Sequence, residues 1–226
     1  PLDPLPYTAE QPSLRTAFGR VDIHSLAAFW AMETRLGGDY WEFGVGLGRS
    51  AVAAVRAQAL YVRDGVQFHF FDSFEGLPPP SGRDRDFGQF HEGAYRAGID
   101  AVTALMRAHA AFDPGRVVFH PGFFDQSLSL ERAASLAGRR IAILHIDVDL
   151  YDSARLVLGF VTPFLQPGAM VLFDDWHCFG ASPHHGERAA AAAWQADPAT
   201  PYALEPYADY GWHGKAFVAV AKTPPV

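Results

Sequence analysis

Two apolar runs in this chain end in clusters of aspartate. HIDVDLYDS, residues 145–153, carries Asp147, Asp149 and Asp152, and VLFDDW, residues 171–176, carries Asp174 and Asp175. Like charges held side by side repel and resist ionising together, so a site that gathers them needs a compensating positive charge. Carboxylate oxygens are hard ligands that suit Mg²⁺, which keeps waters or substrate oxygens in its shell. Such an ion lowers the pKa of a hydroxyl that ligates it. A third stretch, YWEFGVGLGRSA, places Glu42, Gly44, Gly46 and Gly48 at alternate positions. Glycine permits backbone angles and close approaches that a side chain would block. A glycine turn that opens a helix makes a nucleotide or carboxylate site. The E-x-G-x-G-x-G spacing departs from the G-x-G-x-x-G of dinucleotide folds, which speaks against a nicotinamide dehydrogenase. Asp72 closes the next apolar run, about where doubly wound folds place the acid that binds ribose hydroxyls.

Those groups converge only if the right elements carry them. Apolar runs at 40–46, 66–72, 117–120, 141–147 and 169–175 read as strands. Helical patterns at 49–60, 99–112, 128–137 and 153–165 alternate with them. Another helix is expected before the first strand, at 22–36 with Asp22 as N-cap, and another at 185–196. The ending, ALEP, YADYGWHGK and AFVAVAK, reads as two antiparallel strands and a turn. This alternation predicts an α/β fold, doubly wound around a mostly parallel seven-stranded sheet with a C-terminal antiparallel hairpin. Runs such as IAILHI lack polar alternation, as expected for strands covered on both faces. One domain over 1–226 is expected, with 1–38 as an N-terminal helical or lid segment. The Pro-, Gly- and charge-rich stretch 77–96 reads as a mobile loop over the substrate or cofactor.

The composition is that of a globular chain, with 49% hydrophobic residues among 226. A net charge of −7 argues against a nucleic-acid partner. The one cysteine, Cys178, rules out an internal disulfide framework and reads as a free thiol in a reducing cytoplasm. The start, PLDPLPYTAE, has no signal-peptide pattern, and no apolar run is long enough to span a bilayer. A cytoplasmic protein is expected, and a homo-oligomer by base rate.

FDSFEGLP (71–78), HIDVDLYDS and VLFDDW follow E-x-G-x-G-x-G in this order. The set resembles the macrocin O-methyltransferase family, the TylF/NovP-like enzymes within the class I, Rossmann-like S-adenosylmethionine-dependent methyltransferases. The resemblance spans roughly residues 40–176. It implies Mg²⁺-dependent methylation of a sugar hydroxyl on a natural product, in antibiotic biosynthesis. It also implies site roles: Asp147, Asp174 and Asp175 as metal ligands and Asp149 as general base. Glu42, Gly44, Gly46, Gly48, Asp72 and Ser73 would hold S-adenosylmethionine. Trp176 stands where the family often has tyrosine. A catechol or other phenol as acceptor, or a nucleotide-binding module without turnover, are the rival readings. Asp152, followed by Ser153 and a helical pattern, is expected to cap a helix. His145 reads as a core histidine and His177 as a backup base. His184 and His185 read as exposed loop residues.

Overall fold

The structure, a computed structural model, describes residues 22–61, 65–109 and 112–223. Seven strands form one sheet in the order β3-β2-β1-β4-β5-β7-β6. They are β1 Asp39–Phe43, β2 Phe68–Asp72, β3 Val117–Pro121, β4 Ile141–Ile146, β5 Met170–Phe173, β6 Tyr202–Tyr210 and β7 Gly214–Ala221. β1 to β5 are parallel, and β7 and β6 return antiparallel beside β5. This is the expected doubly wound sheet with its C-terminal hairpin. The strand order reverses between β1 and β4, so the crevice for a ligand lies above their C-terminal tips.

The principal helices are α1 Ile23–Glu33, α2 Arg49–Leu60, α3 Ile99–His109, α4 Leu130–Ser135, α5 Tyr151–Val161 and α6 Gly186–Ala196. β4 is buried at every residue because helices cover both faces of the sheet. On one face Trp41, Phe43, Leu144 and Phe173 pack under Val157 and Leu158 of α5 and Ala190 and Trp194 of α6. On the other, Tyr40, Phe70 and Ile143 pack under Ala27 of α1, Val52 of α2 and Met106 of α3. Among the described residues, no helix is long and apolar enough to cross a membrane. Of the N-terminal segment, residues 1–21 lie outside the described part; Asp22 does cap α1, accepting from the Ser25 amide at 3.3 Å.

Strands end earlier than their apolar runs. β1 stops at Phe43 because Gly44, at φ +82°, leaves the extended region. The Asp152 expectation is corrected. α5 starts at Tyr151, so Asp152 lies within its first turn, where it accepts from the Ser81 hydroxyl at 2.7 Å. The carboxylate at that helix start comes from Asp84, in the 77–96 segment. Its Oδ2 accepts from the Tyr151 amide at 2.6 Å and its Oδ1 from the Gly186 amide at 3.0 Å. One buried aspartate therefore satisfies the first turns of α5 and α6 together, where helices leave amides unpaired. Gln89 adds a third tie, accepting from the Phe179 amide at 2.7 Å.

Two histidines sit deep in the sheet. His69 Nδ1 and His120 Nε2 are 3.0 Å apart, and His120 stacks on Phe71 at 4.2 Å. Burial, then the His69 charge, lower the His120 pKa to about 3.

Two outcomes are expected. Replacing Asp84 with alanine removes two caps, each worth about 1 kcal/mol, and should lower Tm by several degrees in a melt followed by circular dichroism. His120 is neutral when folded and takes a proton more readily when unfolded. Its contribution is thus fully present above about pH 6.5 and is lost as pH falls toward its folded value. The Tm of His120→Phe should therefore improve relative to the parent between about pH 7.5 and pH 5. A constant difference across that range would contradict the burial of a neutral His120.

Candidate active site

A cavity of about 900 Å³ opens over the tips of β1, β2, β4 and β5. The glycine turn forms one wall. Gly44 has to be glycine: a Cβ there would fall 1.7 Å from the Asp147 carbonyl oxygen, so a side chain would force the tips of β1 and β4 apart. Gly48, at φ +80°, starts α2, and its Cβ would meet Val102 at 2.9 Å. Gly46 takes φ +47°, and a Cβ there would make only ordinary contact with Tyr95, at 3.8 Å.

Asp72 and Ser73 line the cavity beside this turn. Asp72 Oδ2 accepts from the Val45 and Gly46 amides at 2.6 and 3.1 Å, and its Oδ1 from the Phe74 amide at 2.6 Å. The tip of β2 therefore holds the glycine turn in shape, and two of the turn's amides already have an acceptor. Ser73 accepts from the Glu75 amide and donates to the Gly76 carbonyl. Glu42 does not reach the wall. It is fully buried behind it, accepting from Tyr40 Oη and Ser50 Oγ, each at 2.6 Å, with His145 Nδ1 at 3.7 Å. Strand alternation explains this: Glu42 shares the Tyr40 side of β1, beneath the start of α2. Ser50, His24 and His145 stand at the cavity surface instead. Burial, then the neighbouring His145, lower the His24 pKa to about 4.

The opposite wall carries Asp147, Asp149, Asp174 and Asp175, all facing the cavity. β4 and β5 are parallel neighbours, so their tips bring both aspartate motifs together. A fifth carboxyl lies beneath. Glu187, on α6 and fully buried, accepts from the Val148 amide at 2.9 Å and from the Asp175 amide at 3.0 Å. One carboxylate thus ties the two tips. Asp149 takes φ +59°, a left-handed backbone that costs a non-glycine residue free energy and concentrates at functional sites.

This crowding moves proton affinities. Burial first, then Asp174 and Asp175, push Asp147 well above the usual carboxylate range. Burial, then Asp175, do the same to Asp149. Burial, then Asp175, raise Glu187. Burial and Asp174 also raise Asp175, against opposing contributions from the Cys178 thiol and His213. Asp175 Oδ2 is buried and lacks a hydrogen-bond partner. A cation beside it would satisfy that oxygen and relieve the repulsion, so the donors present fit a divalent ion.

Among the described residues, the ligand atoms within 4.8 Å of one another are those of Asp175, Cys178 and His213. Cys178 Sγ donates to Asp175 Oδ1 at 3.1 Å, and burial with Asp175 pushes its thiol pKa far up, which disfavours a nucleophile. His213 lies in the β6–β7 turn, and its Nδ1 faces the Asp174 carbonyl oxygen and sits 3.7 Å from Asp174 Oδ2. His177, expected as a backup base, does not line the cavity; its Nε2 faces Asp209 at 3.5 Å. His184 and His185 do not line the cavity either, and His185 stacks on Phe179. Trp176 packs away from the cavity on Phe217, at 4.6 Å.

Sequence reasoning passed over Glu187, His213 and Asp84. Glu187 was readable only as an ordinary acid in a helix's first turn. His213 had a usable signal: a hairpin strand antiparallel to β5 must begin at β5's C-terminal tip, which puts the turn at the site.

Comparison with known proteins agrees with this architecture. The solved O-methyltransferase NovP superposes with a TM-score of 0.71 at 20% identity, covering 88% of this chain and 78% of that one. A 4′-O-methyltransferase of a dimethoxyrhamnosyl tetracenomycin from Streptomyces olivaceus is 31% identical over 62% of this chain and 53% of its own length. The mycinamicin III 3″-O-methyltransferase of Micromonospora griseorubida is 28% identical over 65% of this chain and 58% of its own. The chain thus spans little more than half the length of these relatives. The sequence profile of the TylF macrocin-O-methyltransferases matches residues 15–194, and the chain belongs to that family.

Proposed function

We propose that this protein methylates a hydroxyl on the sugar of a small-molecule natural product, using S-adenosylmethionine and a divalent cation, Mg²⁺. The observation that carries this reading is one cavity with a glycine turn on one wall and four aspartates on the other. Family membership and two relatives named for O-methylation, one of a rhamnosyl compound, support it.

S-adenosylmethionine supplies an electrophilic methyl on a sulfonium. Asp72 and Ser73 would hold the ribose end, on a turn already fixed by the Asp72 bonds to Val45 and Gly46. The glycines let that turn lie close to the ligand. Asp147, Asp174 and Asp175 would hold the cation, which supplies Lewis acidity to an alcohol oxygen. Asp149 takes the proton of that hydroxyl. Its surroundings raise its proton affinity, which makes it a stronger base than a solvent-exposed aspartate. With that proton removed, the acceptor oxygen would be the nucleophile for the methyl group that the cofactor supplies. Glu187 keeps the two aspartate-bearing tips in register, so that the acceptor oxygen and methyl stay aligned.

Two measurements test this. Incubation with S-adenosylmethionine and a rhamnosylated polyketide acceptor should release S-adenosylhomocysteine, and EDTA should stop it. Asp147→Asn should cut turnover at least about 100-fold. Turnover that survives metal removal, or a catechol consumed in preference to the glycoside, would count against the reading. The second is thermal. Carboxyls with raised folded values destabilise the fold as pH rises and they ionise. Mg²⁺ should therefore raise Tm, more at about pH 8 than at pH 6, and Asp147→Asn should shrink that shift.

A further inference from the structure

We propose that Asp175, Cys178 and His213 form a second cation seat, suited to a borderline-soft divalent ion such as Zn²⁺, which shares Asp175 with the aspartate seat. The proposal rests on the reading above that the aspartates hold a divalent cation.

Three observations carry it. One ligand atom from each of the three residues lies within 4.8 Å of the others. Ligands at about 2.0–2.3 Å from a tetrahedral zinc stand about 3.3–3.8 Å apart, so side-chain movement of about 1 Å closes the site. The donors are an oxygen, a sulfur and a nitrogen. Thiolate and imidazole favour zinc and its neighbours in the transition series, whereas oxygen sets suit Mg²⁺. The third observation is independent of the cluster's spacing. Asp175 is 7% exposed, yet no N–H, hydroxyl or thiol reaches its Oδ2, and the carboxyl's other neighbour is a second acid, Asp149.

The surroundings also prepare the ligands. His213 is oriented through Nδ1 against the Asp174 carbonyl oxygen, as outer-sphere contacts orient ligating histidines. Cys178 is held by Leu150 and Phe179 with its sulfur already 3.1 Å from Asp175 Oδ1. On binding, the thiol proton passes to solvent, and the ion replaces it between sulfur and carboxylate. No change of oxidation state is involved. Asp175 belongs to both seats, so Zn²⁺ and Mg²⁺ compete, and zinc is an inhibitor of a magnesium-dependent reaction.

Co²⁺ serves as the spectroscopic stand-in for zinc. Added to the whole protein, it should give a near-ultraviolet sulfur-to-cobalt charge-transfer band and intense visible bands of a four-coordinate ion. Zn²⁺ should bleach both, and Mg²⁺ should do so only in large excess. Cys178→Ser keeps a donor to Asp175, so the fold and the Mg²⁺-induced Tm shift should persist. The charge-transfer band should vanish, and zinc affinity should fall at least about tenfold. His213→Ala should weaken zinc by a similar factor while the charge-transfer band remains. A cobalt spectrum without sulfur character, or unchanged zinc affinity in Cys178→Ser, overturns the second seat and leaves the aspartate reading standing when the Mg²⁺ shift is present. Failure of both Mg²⁺ and Co²⁺ to bind overturns both.

Discussion

Glu187 reaches from the first turn of α6 to the amides of Val148 and Asp175, one at each of two neighbouring strand tips. These bonds are wholly shielded from water, where leaving either amide unpaired would be costly. They set the spacing between the HIDVD and FDDW turns, and so the spacing of the four aspartates above them. Burying a fifth carboxyl under four others is costly in itself. It is tolerated because both of its oxygens are matched to amides that would otherwise lack partners at the ends of β4 and β5.

The same economy runs through the rest of the cavity floor. Asp72 occupies the amides of the glycine turn, Asp84 those of α5 and α6, and Glu42 the hydroxyls of Tyr40 and Ser50. Each acid fixes backbone or a side chain from another element. What these contacts leave over is informative. Asp175 Oδ2 is buried without a donor, and Asp149 is held in a left-handed backbone conformation. The shape of the site is built by acids whose hydrogen bonds are met.

Local pattern carried far because the sheet is a repetition of one motif. Unbroken apolar runs marked strands covered on both faces, and the glycine spacing marked the tip of β1. Neighbouring tips then brought Asp147 and Asp174 to one cavity wall. Pattern failed where a partner comes from far along the chain. Asp152 has the position of a cap for α5, but Asp84 takes that role from 67 residues away. Glu42 has the right place before the glycines, yet strand alternation turns it under Ser50. His177 lies two residues beyond the aspartate pair, but the turn there sends it to Asp209, and His213 arrives beside Asp174 from the hairpin. Sequence proximity and spatial proximity part company at turns, where side-chain direction depends on backbone angles that local pattern does not specify.

The double cap at Asp84 divides the 77–96 segment mechanically. A displacement of the whole segment would strip the starts of α5 and α6 at once, and α6 carries Glu187 on its first turn. Displacements confined to residues 77–83 or 85–96 disturb neither cap. The two arms are also joined to each other, the Leu77 amide donating to the Ala94 carbonyl at 3.0 Å and the Gly93 amide to the Leu77 carbonyl at 2.9 Å, so the covering is one closed loop anchored at Asp84. One arm carries Leu77 and Pro78 and the other Phe90 and Tyr95, all facing the cavity. A change in the length or shape of one arm is therefore carried to the other, while Asp84 keeps both from loosening the carboxylates below.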